Sequence, residues 1–96
     1  MKFLAISKEV PPVDWSAMEN ILKNEAGILY QLYTDDLVRE FYFTGQGEAV
    51  LVLECASLEA VHKVLLQLPL VQQGMILFDV MELRPYTGFS RLFSEI

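Results

Sequence analysis

Apolar residues follow two rhythms along this chain. "AVLVLE" (Ala49 to Glu54) is apolar at five consecutive positions, the pattern of a strand covered on both faces. Phe3 to Ser7 reads as a first strand, and "EVPPVD" breaks it because prolines cannot continue a ladder. Asp14 is placed to cap a helix running to about Tyr33. "LVREFYF" (Leu37 to Phe43) is aromatic and branched, as strands are, and "TGQGE" is a glycine-bearing hairpin turn. Ser57 caps a second helix, Pro69 ends it, and Gln72 to Gly74 form a loop. "MILFDVMEL" (Met75 to Leu83) is the last strand, stopped by Pro85. The order β-α-β-β-α-β predicts an α+β, ferredoxin-like domain with an antiparallel sheet and both helices on one face.

Ninety-six residues fit one domain, residues 1–96. Yet 53% of them are hydrophobic and only 21% charged, more apolar surface than so small a body can hide. The strands are apolar on both sides, and no further element of the chain remains to cover the second sheet face. A second sheet from another copy covers it in a dimeric α+β barrel. The tail, residues 85–96, spaces Phe89, Leu92, Phe93 and Ile96 as one helical stripe, expected to contact a neighbouring subunit. Net charge is −6 with the Lys and Arg scattered, so nucleic acid is not an expected partner. The apolar run at the amino terminus, Phe3 to Ile6, is too short for a signal peptide or membrane span. The lone Cys55 fits a reducing compartment, and a cytoplasmic location with no membrane contact is expected.

On a helical wheel of the first helix, Met18, Ile21, Leu22, Ile28, Leu29 and Leu32 share one side, and Glu25 falls inside that apolar arc. A buried carboxylate has its pKa raised, as a general base working near neutrality requires. A structural ion pair is the alternative. Arg39, which by alternation shares a face with Phe41 and Phe43, is the expected partner in either case. In a cavity it would also steer an anionic ligand. Tyr42, on the opposite face with Val38, can donate a hydrogen bond into a barrel or sit at an interface. Asp79 interrupts the apolar alternation of Leu77, Met81 and Leu83, and it either binds substrate or reaches water at a sheet edge. His62 lies at the flank of the second helix's stripe of Val61, Val64, Leu65 and Leu68. No metal-ligand spacing, nucleophilic triad or phosphate loop is present.

The stretch "SLEAVHKVLLQLPL" resembles the second helix of the muconolactone isomerase family. Ser57, Glu59, Ala60, His62, Leu65, Gln67, Leu68, Pro69 and Leu70 match its pattern. "LKNE" (Leu22 to Glu25) is similar to its first-helix acidic run, and the likeness extends from about Val13 to Pro85. "LVREFYF" stands where the family carries a basic, tryptophan-rich strand, which implies a different pocket. The resemblance implies a dimeric α+β barrel assembled into larger homo-oligomers. It also implies a cofactor-independent isomerase that moves a proton on a small anionic lactone or enolisable acid. Glu25 would be the base and Arg39 the anchor, with Tyr42, His62 and Asp79 as candidate substrate contacts. Two other readings share the fold: a non-catalytic small-molecule-binding or oligomeric protein, and a cofactor-free monooxygenase.

Overall fold

A computed structural model describes residues 1–10 and 12–93. Its elements are β1 (Lys2–Glu9), α1 (Glu19–Thr34), β2 (Val38–Phe43), β3 (Ala49–Glu54), α2 (Leu58–Leu65), α3 (Pro69–Gln72) and β4 (Ile76–Leu83). The strands form one sheet in the order β2-β3-β1-β4, every neighbouring pair antiparallel. This is the expected ferredoxin-like α+β architecture. Pro11, one of the two residues expected to end the first strand, lies outside the described residues.

Alternation along β1 builds the core. Phe3 and Ala5 point to the helices and pair across the ladder with Leu53 and Leu51 of β3. Leu32 of α1, Val61 and Leu65 of α2, and Leu68 close over them. Successive strand residues face opposite ways, so Leu4, Ile6, Val50, Leu77 and Met81 fall on the other face of the sheet. Leu77 and Met81 are exposed there, while Leu4, Ile6 and Val50 are half-buried. Ser57 Oγ accepts the Ala60 N–H at 3.1 Å and starts α2 as expected; such a cap contributes about 1 kcal/mol.

Three local expectations are corrected. Asp14 Oδ1 does accept a backbone N–H, from Ser16 at 3.1 Å, but the element it caps is a 3-10 turn, Trp15–Ala17. The α-helix starts later, at Glu19. Pro69 does not merely end a helix. It occupies the first position of α3, where its fixed φ suits the turn and its missing N–H costs nothing. The pairing of β2 with β3 shifts register between Val38 and Glu40. That bulge breaks strict alternation, so Val38 joins Phe41 and Phe43 opposite Leu53, Leu51 and Ala49, while Tyr42 stands opposite Val50. Tyr42 therefore does not share a face with Val38.

The radius of gyration is 16.3 Å, against about 12.5 Å for a compact chain of this length. Gly88–Phe93 forms 3-10 turns rather than one long helix, and Tyr86, Phe89, Leu92 and Phe93 are exposed. Ile96, the last residue of the expected stripe, lies outside the described residues. Among the described residues no helix is long and apolar enough to cross a membrane.

Candidate functional site

Glu25 is 7% exposed, on the core side of α1 as its place on the wheel requires. Its partner is not Arg39. Oε1 accepts the backbone N–H of Leu70 at 3.0 Å. Leu70 lies in the first turn of α3, where N–H groups have no partner within the helix. Leu68, before Pro69, supplies no side-chain cap. A carboxylate from α1 thus caps a helix that follows it in the chain by 45 residues. Burial pushes the Glu25 carboxyl above its ordinary range, and the Leu70 N–H pulls part of that rise back. No described residue donates to Oε2, yet no buried side-chain oxygen among the described residues lacks a partner. Oε2 is therefore open to the space beside it.

That space is a cavity of about 590 Å³ between α1 and the sheet, within the size range of small-molecule sites. Leu22, Ala26 and Leu29 form the α1 wall around Glu25, and Leu51 and Phe78 form the sheet wall. Ser7, on the helix-facing side of β1 in line with Phe3 and Ala5, is buried in that wall. Pairing of β1 with β3 ends at Ile6 and Val50. Beyond it the Ala49 N–H donates to Ser7 Oγ at 2.8 Å instead of to a strand carbonyl. No described residue accepts the Ser7 hydroxyl proton. The mouth carries Phe43, Gln46 and Gly47 of the β2–β3 hairpin, together with Glu9 and Trp15. Trp15 Nε1–H donates to Glu9 Oε1 at 2.8 Å and so ties the 3-10 turn to the end of β1. Gly47 has φ 84°, a left-handed conformation that favours glycine in this hairpin.

The other sequence candidates lie outside the cavity. Arg39 sits at the β2 bulge, exposed, its Nε–H donating to the Asp36 carbonyl at 2.8 Å. The bulge removes it from the regular alternation that suggested a face shared with Phe41 and Phe43. The structure does not bring it to Glu25. Tyr42 is exposed and donates to Glu40 Oε1 at 2.8 Å. That bond, with the Glu40 charge, raises its phenol pKa. Asp79 lies on the open sheet face, 2.7 Å from Lys8 Nζ, and the pair raises the lysine's pKa. His62 is exposed on α2. Sequence reasoning missed Ser7, Trp15 and Glu9. Ser7 had a signal, because continuing the inward alternation of Phe3 and Ala5 leads to it; Trp15 and Glu9 had none. A larger hollow of about 880 Å³ lies at the root of the tail. Both of its carboxylates are paired there, Glu54 with the Met1 amine at 3.3 Å and Glu82 with Arg84, and Lys2 also lines it.

Fold and site together define a ferredoxin-like α+β domain whose helix-side cavity is apolar and holds one half-anchored carboxylate. The chain has the fold of muconolactone isomerase: a crystal structure of that enzyme superposes with a TM-score of 0.75 at 22% identity, over 91% of this chain and 92% of the enzyme. The 5-chloro-2-hydroxyhydroquinone dehydrochlorinase of Burkholderia phenoliruptrix, solved with 2,5-dihydroxybenzoquinone, superposes with a TM-score of 0.68 at 17% identity, over 92% and 98% of the two chains. No protein-family model and no curated protein sequence matches the chain.

Proposed function

We propose that the cavity catalyses a cofactor-independent proton transfer on a small enolisable ring compound. The observation that carries this reading is Glu25, whose Oε1 is held by Leu70 while Oε2 is open to an apolar cavity. A base must be fixed in direction and yet keep a lone pair free. Glu25 takes a proton from a carbon beside a carbonyl, and the C–H electron pair moves through the ring to the carbonyl oxygen. The Ser7 hydroxyl, already positioned by the Ala49 N–H, donates to the developing enolate oxygen. Protonated Glu25 then returns the proton to a different ring carbon, which shifts the double bond and regenerates the carboxylate. The fold is shared with an isomerase of a lactone and with a dehydrochlorinase of a hydroxyhydroquinone. Both names describe small ring compounds, which supports this substrate size.

The direct test is deuterium exchange, followed by NMR, of the ring C–H groups of a butenolide in D₂O. The wild-type chain accelerates exchange well above buffer. Ser7→Ala leaves the Ala49 N–H without its acceptor, at a cost of about 1–3 kcal/mol, and in the folded protein slows exchange by about 10²-fold, the usual cost of one donor to an oxyanion. A wild-type rate no higher than that of buffer alone rejects the proposal.

Two copies pair through the open sheet face, giving the dimeric α+β barrel. Leu4, Ile6, Val50, Leu77 and Met81 supply an apolar patch that no element among the described residues covers. Sedimentation gives a species of at least twice the 11.0 kDa chain mass. Ile6→Lys places a charge at the centre of that face and yields single chains; an unchanged assembly moves the interface elsewhere.

A further inference from the structure

The charges around the cavity define its ligand class. Two carboxylates line it, Glu25 in the wall and Glu9 at the mouth. The chain has seven Lys and Arg residues, and among the described residues that line the cavity there is none. Lys8 and Lys23 adjoin lining residues in sequence, yet neither lines the cavity. Lys8 borders a smaller hollow that shares Ser7, Glu9, Gln46 and Gly47 with it, and its Nζ is paired with Asp79 at 2.7 Å, while Arg39 is held at the β2 bulge by the Asp36 carbonyl. His62 is exposed on α2, away from the cavity. What the cavity offers is hydrogen bonding: the free Ser7 proton, the open Glu25 oxygen and the Gln46 side chain at the rim.

We infer that the cavity takes an uncharged ring bearing carbonyl or hydroxyl groups and discriminates against carboxylate ligands. An anionic ligand entering this space meets like charge in a wall of low polarity, where repulsion is poorly screened, and no guanidinium or ammonium offsets it. A hydroxyl or carbonyl finds an acceptor in Glu25 and a donor in Ser7. This assignment rests on the reading of the cavity as a proton-transfer site. It replaces the anionic substrate that the family resemblance implies.

The test is a calorimetric titration at pH 7 with 4-hydroxybenzamide and 4-hydroxybenzoate, probes of nearly the same shape that differ by one charge. Trp15, the sole tryptophan, lies at the mouth and gives a second readout as fluorescence quenching. The amide binds wild-type protein at least about tenfold more tightly than the benzoate, a gap expected of one unscreened like charge. Glu25→Gln narrows that gap by removing the charge that causes it. Benzoate binding as tight as, or tighter than, the amide overturns the inference, and so does the absence of binding by either probe. Butenolide exchange in D₂O is a separate measurement. Exchange with a benzoate preference sinks only the ligand class, whereas amide preference without exchange sinks only the proton-transfer reading.

Discussion

Glu25→Gln lowers proton-transfer turnover by about 10²- to 10⁴-fold, the contribution of a positioned general base. The amide keeps an oxygen where Oε1 accepts the Leu70 N–H at 3.0 Å, so helix α3 keeps its cap and the chain keeps its fold. Glu25→Ala is a different experiment. It strands a buried N–H, at a cost of about 1–3 kcal/mol, and loses activity and stability together. Comparing the two variants by turnover and by thermal unfolding separates the chemical role from the structural one. A glutamine variant with unimpaired turnover removes Glu25 as the base.

The pH dependence follows from the same carboxylate. Its folded-state pKa is raised by burial, so between the ordinary glutamate value and the raised one the folded chain binds more protons than the unfolded chain. Stability from this group is fully present below the unfolded pKa and is lost as pH rises through the folded pKa. Activity runs the opposite way, because only the ionised form accepts a proton. Wild-type protein therefore gains turnover and loses some stability across one pH window, and Glu25→Gln removes this group's share of both trends. Denaturation midpoints and exchange rates over the same pH series check it.

Phe3→Ala destabilises the fold by about 3–5 kcal/mol, the range for truncating a buried phenylalanine. Phe3 is 1% exposed, on a central strand, opposite Leu53 and inside the cluster that joins the helices to the sheet. Such a loss is a third or more of the stability of many domains. At roughly 4–8 °C per kcal/mol for a domain of this size, the midpoint falls by more than about 10 °C. Calorimetry reads it, and a drop of only a few degrees would mean that the sheet repacks around the gap. The cavity depends on this core, since Ser7 and Glu25 face one another only if β1 stays seated beneath α1.

How much of this was legible depends on range. "AVLVLE" gave β3 to the residue because a run of apolar residues needs no partner to be recognised. The arc on the first helix gave Glu25 its burial, because the angle between side chains on a helix is fixed by its geometry. Arg39 was misplaced because alternation assumes an unbroken ladder, and a bulge is a property of the pair of strands. Trp15 and Glu9 were not seen because their 2.8 Å bond spans a break in regular structure.

By itself the sequence determined the β-α-β-β-α-β order of the main elements (though not α3), the ferredoxin-like sheet and the burial of one carboxylate, all consequences of short-range periodicity. Tertiary structure alone decided that this carboxylate meets the amide of Leu70, 45 residues away, and that Ser7 meets the amide of Ala49, 42 residues away. It also decided that no Lys or Arg is among the described residues lining the cavity they share. The physical reason is that a hydrogen bond forms wherever a donor and an acceptor are brought within about 3 Å. Which groups arrive there is fixed by how helices seat on the sheet, and no local period carries that information.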